Sequence, residues 1–199
     1  MKLLMEQWRN YLLTEAAKSP DDLPDDVVVA IKAQGAMTTI QYAQKADPTK
    51  PVPMGGPNDW MGYIDLASNE KIQKGLKVGP CGGAWMISMV EAASGWGPLL
   101  YDVAIEYTTE AGGGLIGDRG EVSSEARSVW SYYMQNRGDV TGIQMDDLEN
   151  TLTPDEADNC DQDVAVEDSD WADSPLSKRW TKPPTMMKAL KAAGKLVTL

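Results

Sequence analysis

Gly95-Trp96-Gly97-Pro98 is the stretch of this 199-residue sequence whose residue types and spacing most directly suggest chemistry. It follows an apolar run and precedes a helical pattern. Glycines adopt backbone angles that other residues avoid and let the main chain come close to a ligand. A helix starting just behind them aims unpaired N–H groups and the positive end of its dipole at the same spot. A strand, a Gly-x-Gly turn and a helix therefore make a cradle for an anion, or else simply a tight turn. Pro98 suits the first helical turn. Glu91, at the end of the preceding run, is the carboxylate best placed to act as a base beside that cradle; its plainer reading is a solvated charge at a strand end. The sequence contains no histidine, so Ser-His-Asp and Cys-His triads and His-containing zinc sites are excluded. Two familiar phosphate motifs also fail. No Gly-Lys-Ser/Thr closes a P-loop, and Leu100 stands where a dinucleotide fingerprint needs its third glycine.

The elements that must position this turn are legible as patterns. Residues 3–17 read as an amphipathic helix through Leu4, Trp8, Tyr11 and Leu12, stopped by Pro20 and Pro24. The β-branched runs around Val27–Ile31 and Thr38–Ile40, separated by Gly35, predict a hairpin. Four prolines and two glycines between residues 47 and 58 predict a loop. Residues 60–67 read as a strand and 68–79 as a short turn or helix. Residues 79–94 read as a central strand covered on both faces. A helix is expected from Pro98 to about Thr109, with Leu99, Leu100, Val103, Ala104 and Tyr107 as its apolar stripe. Asp102 and Glu106 share its other face and are expected in water. A short strand is expected around residues 115–118, with Asp118 and Arg119 as an ion pair. A second helix, capped by Ser123 or Ser124, buries Ala126, Val129, Trp130 and Tyr133.

Net charge is −12, which argues against a broad nucleic-acid-binding face. Twelve of the 28 residues from 146 to 173 are acidic and none is basic, so a solvated loop region is expected there. The EF-hand spacing is not met, since no glycine follows Asp161-x-Asp163, and no metal is expected. Residues 175–199 are basic and read as a closing helix. Cys81 and Cys160 form no framework of spacings and are expected as buried free thiols. No apolar run is long enough for a membrane span, and the first 18 residues lack a signal-peptide core. The expected organisation is an N-terminal helix and linker (1–24), an α/β core (25–145), an acidic loop region (146–174) and a basic C-terminal helix packed on the core (175–199).

From Asp26 to Tyr133 the order is strands, the apolar "AWMISMVEAA", the turn "SGWGPLL", a helix, "GLIGD", then a helix carrying "EARSVWSYY". This resembles the GNAT superfamily of N-acetyltransferases. The resemblance implies a mixed, mostly antiparallel central sheet flanked by helices, the acyl-CoA N-acyltransferase fold. It implies that the turn holds the pyrophosphate of acetyl-CoA, with Val90, Ser94, Gly95, Trp96, Gly97 and Leu99 receiving the cofactor. It implies an acyl transfer to an amine, with Glu91 as base and Trp130 or Tyr133 as the aromatic group that protonates the leaving thiolate. Three departures stand out. Ala92 occupies a position that is Gln or Arg in the family pattern, Pro98 removes one N–H, and Trp130 replaces the more usual tyrosine.

The opening "LMEQWRNYL", Leu4 to Leu12, is similar to openings common among proteins of tailed phages and their bacterial hosts. This carries the alternative reading: a virion structural or assembly protein that uses a GNAT-like fold without catalysis, its acidic band and basic tail docking onto neighbouring protein copies. Acyl-CoA and an amine are the expected partners of an enzyme. No nucleic acid or membrane partner is expected. The expected location is the cytoplasm, the host's if the protein is phage-encoded, or else the virion.

Overall fold

A computed structural model describes residues 18–54, 60–75, 79–147, 151–161 and 171–199. The expected helix over 3–17 lies outside them. Among the described residues the chain is mixed α/β. A nine-stranded sheet comprises β1 (Val27–Gln34), β2 (Met37–Gln44), β3 (Asp47–Pro51), β4 (Gly62–Ala67), β5 (Trp85–Ala92), β6 (Leu115–Ile116), β7 (Thr141–Gln144), β8 (Lys178–Thr181) and β9 (Leu196–Thr198). Four helices accompany it: α1 (Asn69–Gly75), α2 (Gly97–Glu110), α3 (Ser124–Asn136) and α4 (Thr185–Ala192). The strand order is β7-β8-β6-β5-β4-β2-β1-β9, with β3 paired to β2. Among the described strands only β1/β9 and β5/β6 run parallel.

The hairpin forms as its β-branched runs dictate, turning at Gly35 with φ +61°. The alternation in β4 sends Ile64 and Leu66 inward, fully buried, and leaves Tyr63 and Asp65 half-buried on the other face. The apolar stripe of α2 covers the inner face, with Leu99, Leu100, Val103 and Ala104 packed against Ile40, Ile64, Leu66 and Ile87 in one core. Ser123 caps α3 by accepting the Ala126 N–H at 3.2 Å.

Several expectations are corrected. The Pro-rich stretch is not all loop, because Asp47–Pro51 adds a short strand to the β2 edge. The closing helix ends at Ala192, and Leu196–Thr198 turns back to pair with β1. The region 175–199 therefore completes the sheet with β8 and β9. The central strand is not covered on both faces: Ser88, Met89 and Glu91 are exposed. Cys81 and Cys160 are not free thiols. They form a disulfide with Cα atoms 4.5 Å apart across 79 residues of sequence.

Neither Asp102 nor Glu106 faces water. Both are buried, Asp102 against Tyr133 and Arg137, Glu106 against Lys182 and the first turn of α4. Arg119 is fully buried, and its guanidinium donates to the carbonyls of Cys160, Asp161 and Leu176 at 2.8–3.0 Å. Asp118 accepts the N–H groups of Gly120 and Glu121, and its charge acts on Arg119 along with those of Asp147 and Asp161. The acidic region is not simply a solvated loop, because Asp146 is buried and takes the N–H groups of Leu152 and Thr153, both at 2.8 Å.

Candidate functional site

The site begins where β5 parts from β6. These parallel strands pair only at Trp85↔Leu115 and Met86↔Ile116. From Ile87 to Ala92, β5 keeps its partner β4 but, among the described residues, has no strand on its other edge. A β-bulge falls at Ser88, between the pairs Leu66↔Ile87 and Asp65↔Met89, and Ser88 Oγ donates to the Asp65 carbonyl at 3.3 Å. Bulges bend a strand and re-aim its side chains.

The turn stands at the end of that open edge. Gly95 holds φ +80°, the left-handed region that favours glycine. The turn is anchored mainly through its carbonyls. Gly95 accepts the Lys18 N–H at 3.2 Å, and Trp96 accepts the Tyr42 hydroxyl at 2.6 Å. The Trp96 N–H is spent on the Ala93 carbonyl at 3.0 Å. The Gly97 and Leu99 N–H groups, in the first turn of α2, meet no acceptor among the described residues. The N-cap residue, Trp96, makes no side-chain cap hydrogen bond to this helix end among the described residues. The Tyr42 ring also packs edge-on against Trp96, centroids 5.3 Å apart, and fixes the turn to β2.

The structure brings some of the expected residues together and separates others. Val90 is half-buried against the core, and Leu99 is buried in it. Ser94 is exposed in the turn, and Glu91 is exposed at the end of β5. Trp130 and Tyr133 are elsewhere. Trp130 is 1% exposed, stacked on Trp180 at 6.0 Å between centroids and edge-on to Tyr101. Tyr133 is 2% exposed and donates its hydroxyl to Asp102 at 2.9 Å. Burial, and then the neighbouring Asp102 charge, push the Tyr133 phenol well above its ordinary pKa.

Sequence reasoning missed two residues beside Glu91. The register sets Tyr63 opposite Glu91 and Asp65 opposite Met89, all on the outer face of the sheet. Asp65 accepts the Thr39 hydroxyl at 2.5 Å. Partial burial, then the Glu91 and Asp65 charges, raise the Tyr63 phenol. The signal was present in the alternation of "GYIDLA", which puts Tyr63 and Asp65 on one face. A separate pocket lined by Asp26, Val27, Gln44, Ala46, Val52 and Pro53 shares none of these residues. Among the described residues no group of three or more Cys, Asp or Glu is arranged to hold a metal ion, and no helix is long and apolar enough to cross a membrane.

Comparison with protein-family models, with curated proteins and with solved structures finds no match to this chain.

Proposed function

We propose that this chain is a GNAT-like acyltransferase that moves an acyl group from acyl-CoA to an amine. One observation carries the reading: after its last pair with β6 at Met86, β5 runs on to Ala92 as an edge open among the described residues, and that edge ends at the turn before α2, where the Gly97 and Leu99 N–H groups are unclaimed among the described residues. That end of the helix suits a pyrophosphate. The open β5 edge offers main-chain groups to an extended pantetheine arm. The amine nitrogen then attacks the thioester carbonyl, forming the C–N bond as the C–S bond breaks. The amine's proton passes to Glu91 or water, and the thiolate takes a proton from solvent, since Trp130 and Tyr133 are enclosed in the core.

Acetyl-CoA at 1 mM is expected to raise the melting temperature, and a ligand present at a hundredfold over its Kd stabilises by about 2.7 kcal/mol. Release of free thiol on adding an amine tests the transfer itself. No shift at millimolar acetyl-CoA would sink the reading.

The same enclosure of Trp130 and Tyr133 favours a second reading, a phage structural or assembly protein that keeps the fold and not the catalysis. The Cys81–Cys160 bond fits an oxidising location or a virion better than a reducing cytosol. Self-association of the purified chain, with no response to acetyl-CoA, would support this alternative.

A further inference from the structure

We propose that this chain docks onto further copies of itself head to tail, the β9 edge of one copy meeting the β7 edge of the next. The inference rests on the assembly reading and names its surfaces. β7 and β9 stand at the two ends of the strand order. Among the described residues β7 pairs only with β8, and β9 only with β1. Each therefore presents an unpaired edge, a row of main-chain groups that takes on a further strand. In β9 the pairing to β1 is flanked by two bonds: the Lys195 carbonyl accepts the Val29 N–H at 2.8 Å, and the Leu199 N–H donates to the Ile31 carbonyl at 2.9 Å. The alternate residues, Leu196 and Thr198, turn their main-chain groups away from β1.

Charge decides which edges meet. α4 packs beside β9 and leads into it through Ala193, Gly194 and Lys195. It exposes Lys188 and Lys191, three residues apart on one helix face. Neither has an ion-pair partner among the described residues. At the far end of the sheet the chain leaves β7 at Gln144 and enters the acidic region directly. The Asp146↔Asn159 bridge folds that region back beside the end of the strand, and Glu156 is exposed there. A basic edge and an acidic edge attract between copies, whereas two like edges repel. Each end also carries an exposed leucine to bury against a neighbour: Leu199, 44% exposed, just beyond β9, and Leu152, 48% exposed, past β7. Because the two surfaces differ, every docked copy leaves one edge open, and association continues into a ring or a filament.

Sedimentation velocity over a concentration series, at low and at high salt, tests this. The mean mass is expected to climb above the 21.7 kDa of one chain as concentration rises, and to fall back as salt screens the contact. Lys188→Glu with Lys191→Glu is expected to weaken association roughly tenfold or more at an unchanged melting temperature, since both side chains stand in water. Thr198→Pro removes an outward N–H, a change that edge strands accept, and is expected to abolish self-association. That variant keeps its β7 edge, so added to the wild-type chain it should bind and shorten the assemblies. Amide exchange at residues 141–144 and 196–198 should slow together as the wild-type chain is concentrated. Association untouched by these substitutions, or slowing at one edge alone, overturns the edge pairing and leaves the assembly reading standing. A chain that stays monomeric at low salt throughout the series overturns both.

Discussion

The Tyr133 hydroxyl and the Asp102 carboxylate meet at 2.9 Å inside the protein, and Arg137 closes on the same carboxylate at 3.0 Å. Arg137 also lies over the Tyr133 ring, 5.1 Å from its centroid. The three groups tie α2 to the end of α3. Tyr133→Phe removes one donor from a buried carboxylate, a loss of about 1–3 kcal/mol. Urea unfolding should register this, and any transferase activity should be unaffected. A drop in activity at full stability would return Tyr133 to the reaction.

Glu106 is fully buried and accepts the Met186 and Met187 N–H groups at 2.7 and 2.6 Å, together with the Lys182 ammonium. It caps α4 from another helix. Glu106→Ala strands the Lys182 charge, and breaking a buried pair in this way costs about 3–5 kcal/mol. The paired change Glu106→Leu with Lys182→Met should recover part of that, measured by urea unfolding.

The Cys81–Cys160 bond closes a loop spanning 79 residues of sequence. On the chain-entropy model such a loop stabilises by about 4.5 kcal/mol. Reductant or Cys81→Ser with Cys160→Ser should lower the melting temperature. The intact mass of the unreduced protein should be about 2 Da below that of the reduced chain, as loss of two thiol hydrogens requires. An unchanged melting temperature after confirmed reduction would count against the bond's structural role.

Burial raises the phenols of Tyr42 and Tyr133 well above the ordinary value and pushes Tyr101 up to about 12. A group whose pKa is raised on folding favours the fold fully below its unfolded value, near 10 for tyrosine. That contribution is lost as pH climbs toward the folded value. Stability should therefore hold to about pH 10 and fall between roughly pH 10 and 12. In that window the absorbance of ionised tyrosine should appear together with loss of near-ultraviolet dichroism. Early, separate ionisation of these three rings would contradict their enclosure.

A Cβ on Gly113 would stand 1.9 Å from the Gly83 carbonyl oxygen, backbone against backbone. No side-chain adjustment relieves that contact, so Gly113→Ala should destabilise more than typical substitutions, which cost about 1 kcal/mol. Gly112→Ala is the control for helix-end effects, because space around Gly112 is open although its φ is +96°.

The sheet's first half was legible because it is local. Val27–Ile31 and Thr38–Ile40 carry β-branched residues on either side of Gly35, and the helices carry clear apolar stripes. The polar partnerships were not legible. Asp102 and Glu106, four residues apart, read as a wet helix face, and only Tyr133, Arg137 and Lys182 reverse that. Lys182 is 76 residues from Glu106. The two cysteines carry no spacing signal across 79 residues. β8 and β9 are only four and three residues long, too short for a period-two pattern. At the candidate site the turn and Glu91 were visible, but the pairing that brings Tyr63 and Asp65 beside them depends on strand register.

β8 lies between β6 and β7, and β9 closes on β1. Both are translated after every strand they join, so a nascent chain halted before Lys178 holds β6 and β7 with a gap between them and an uncapped β1. The sheet seals only once that segment has left the ribosome, and contacts so distant in sequence slow the search for the native state. Until then the half-built sheet is the form a chaperone or protease would meet.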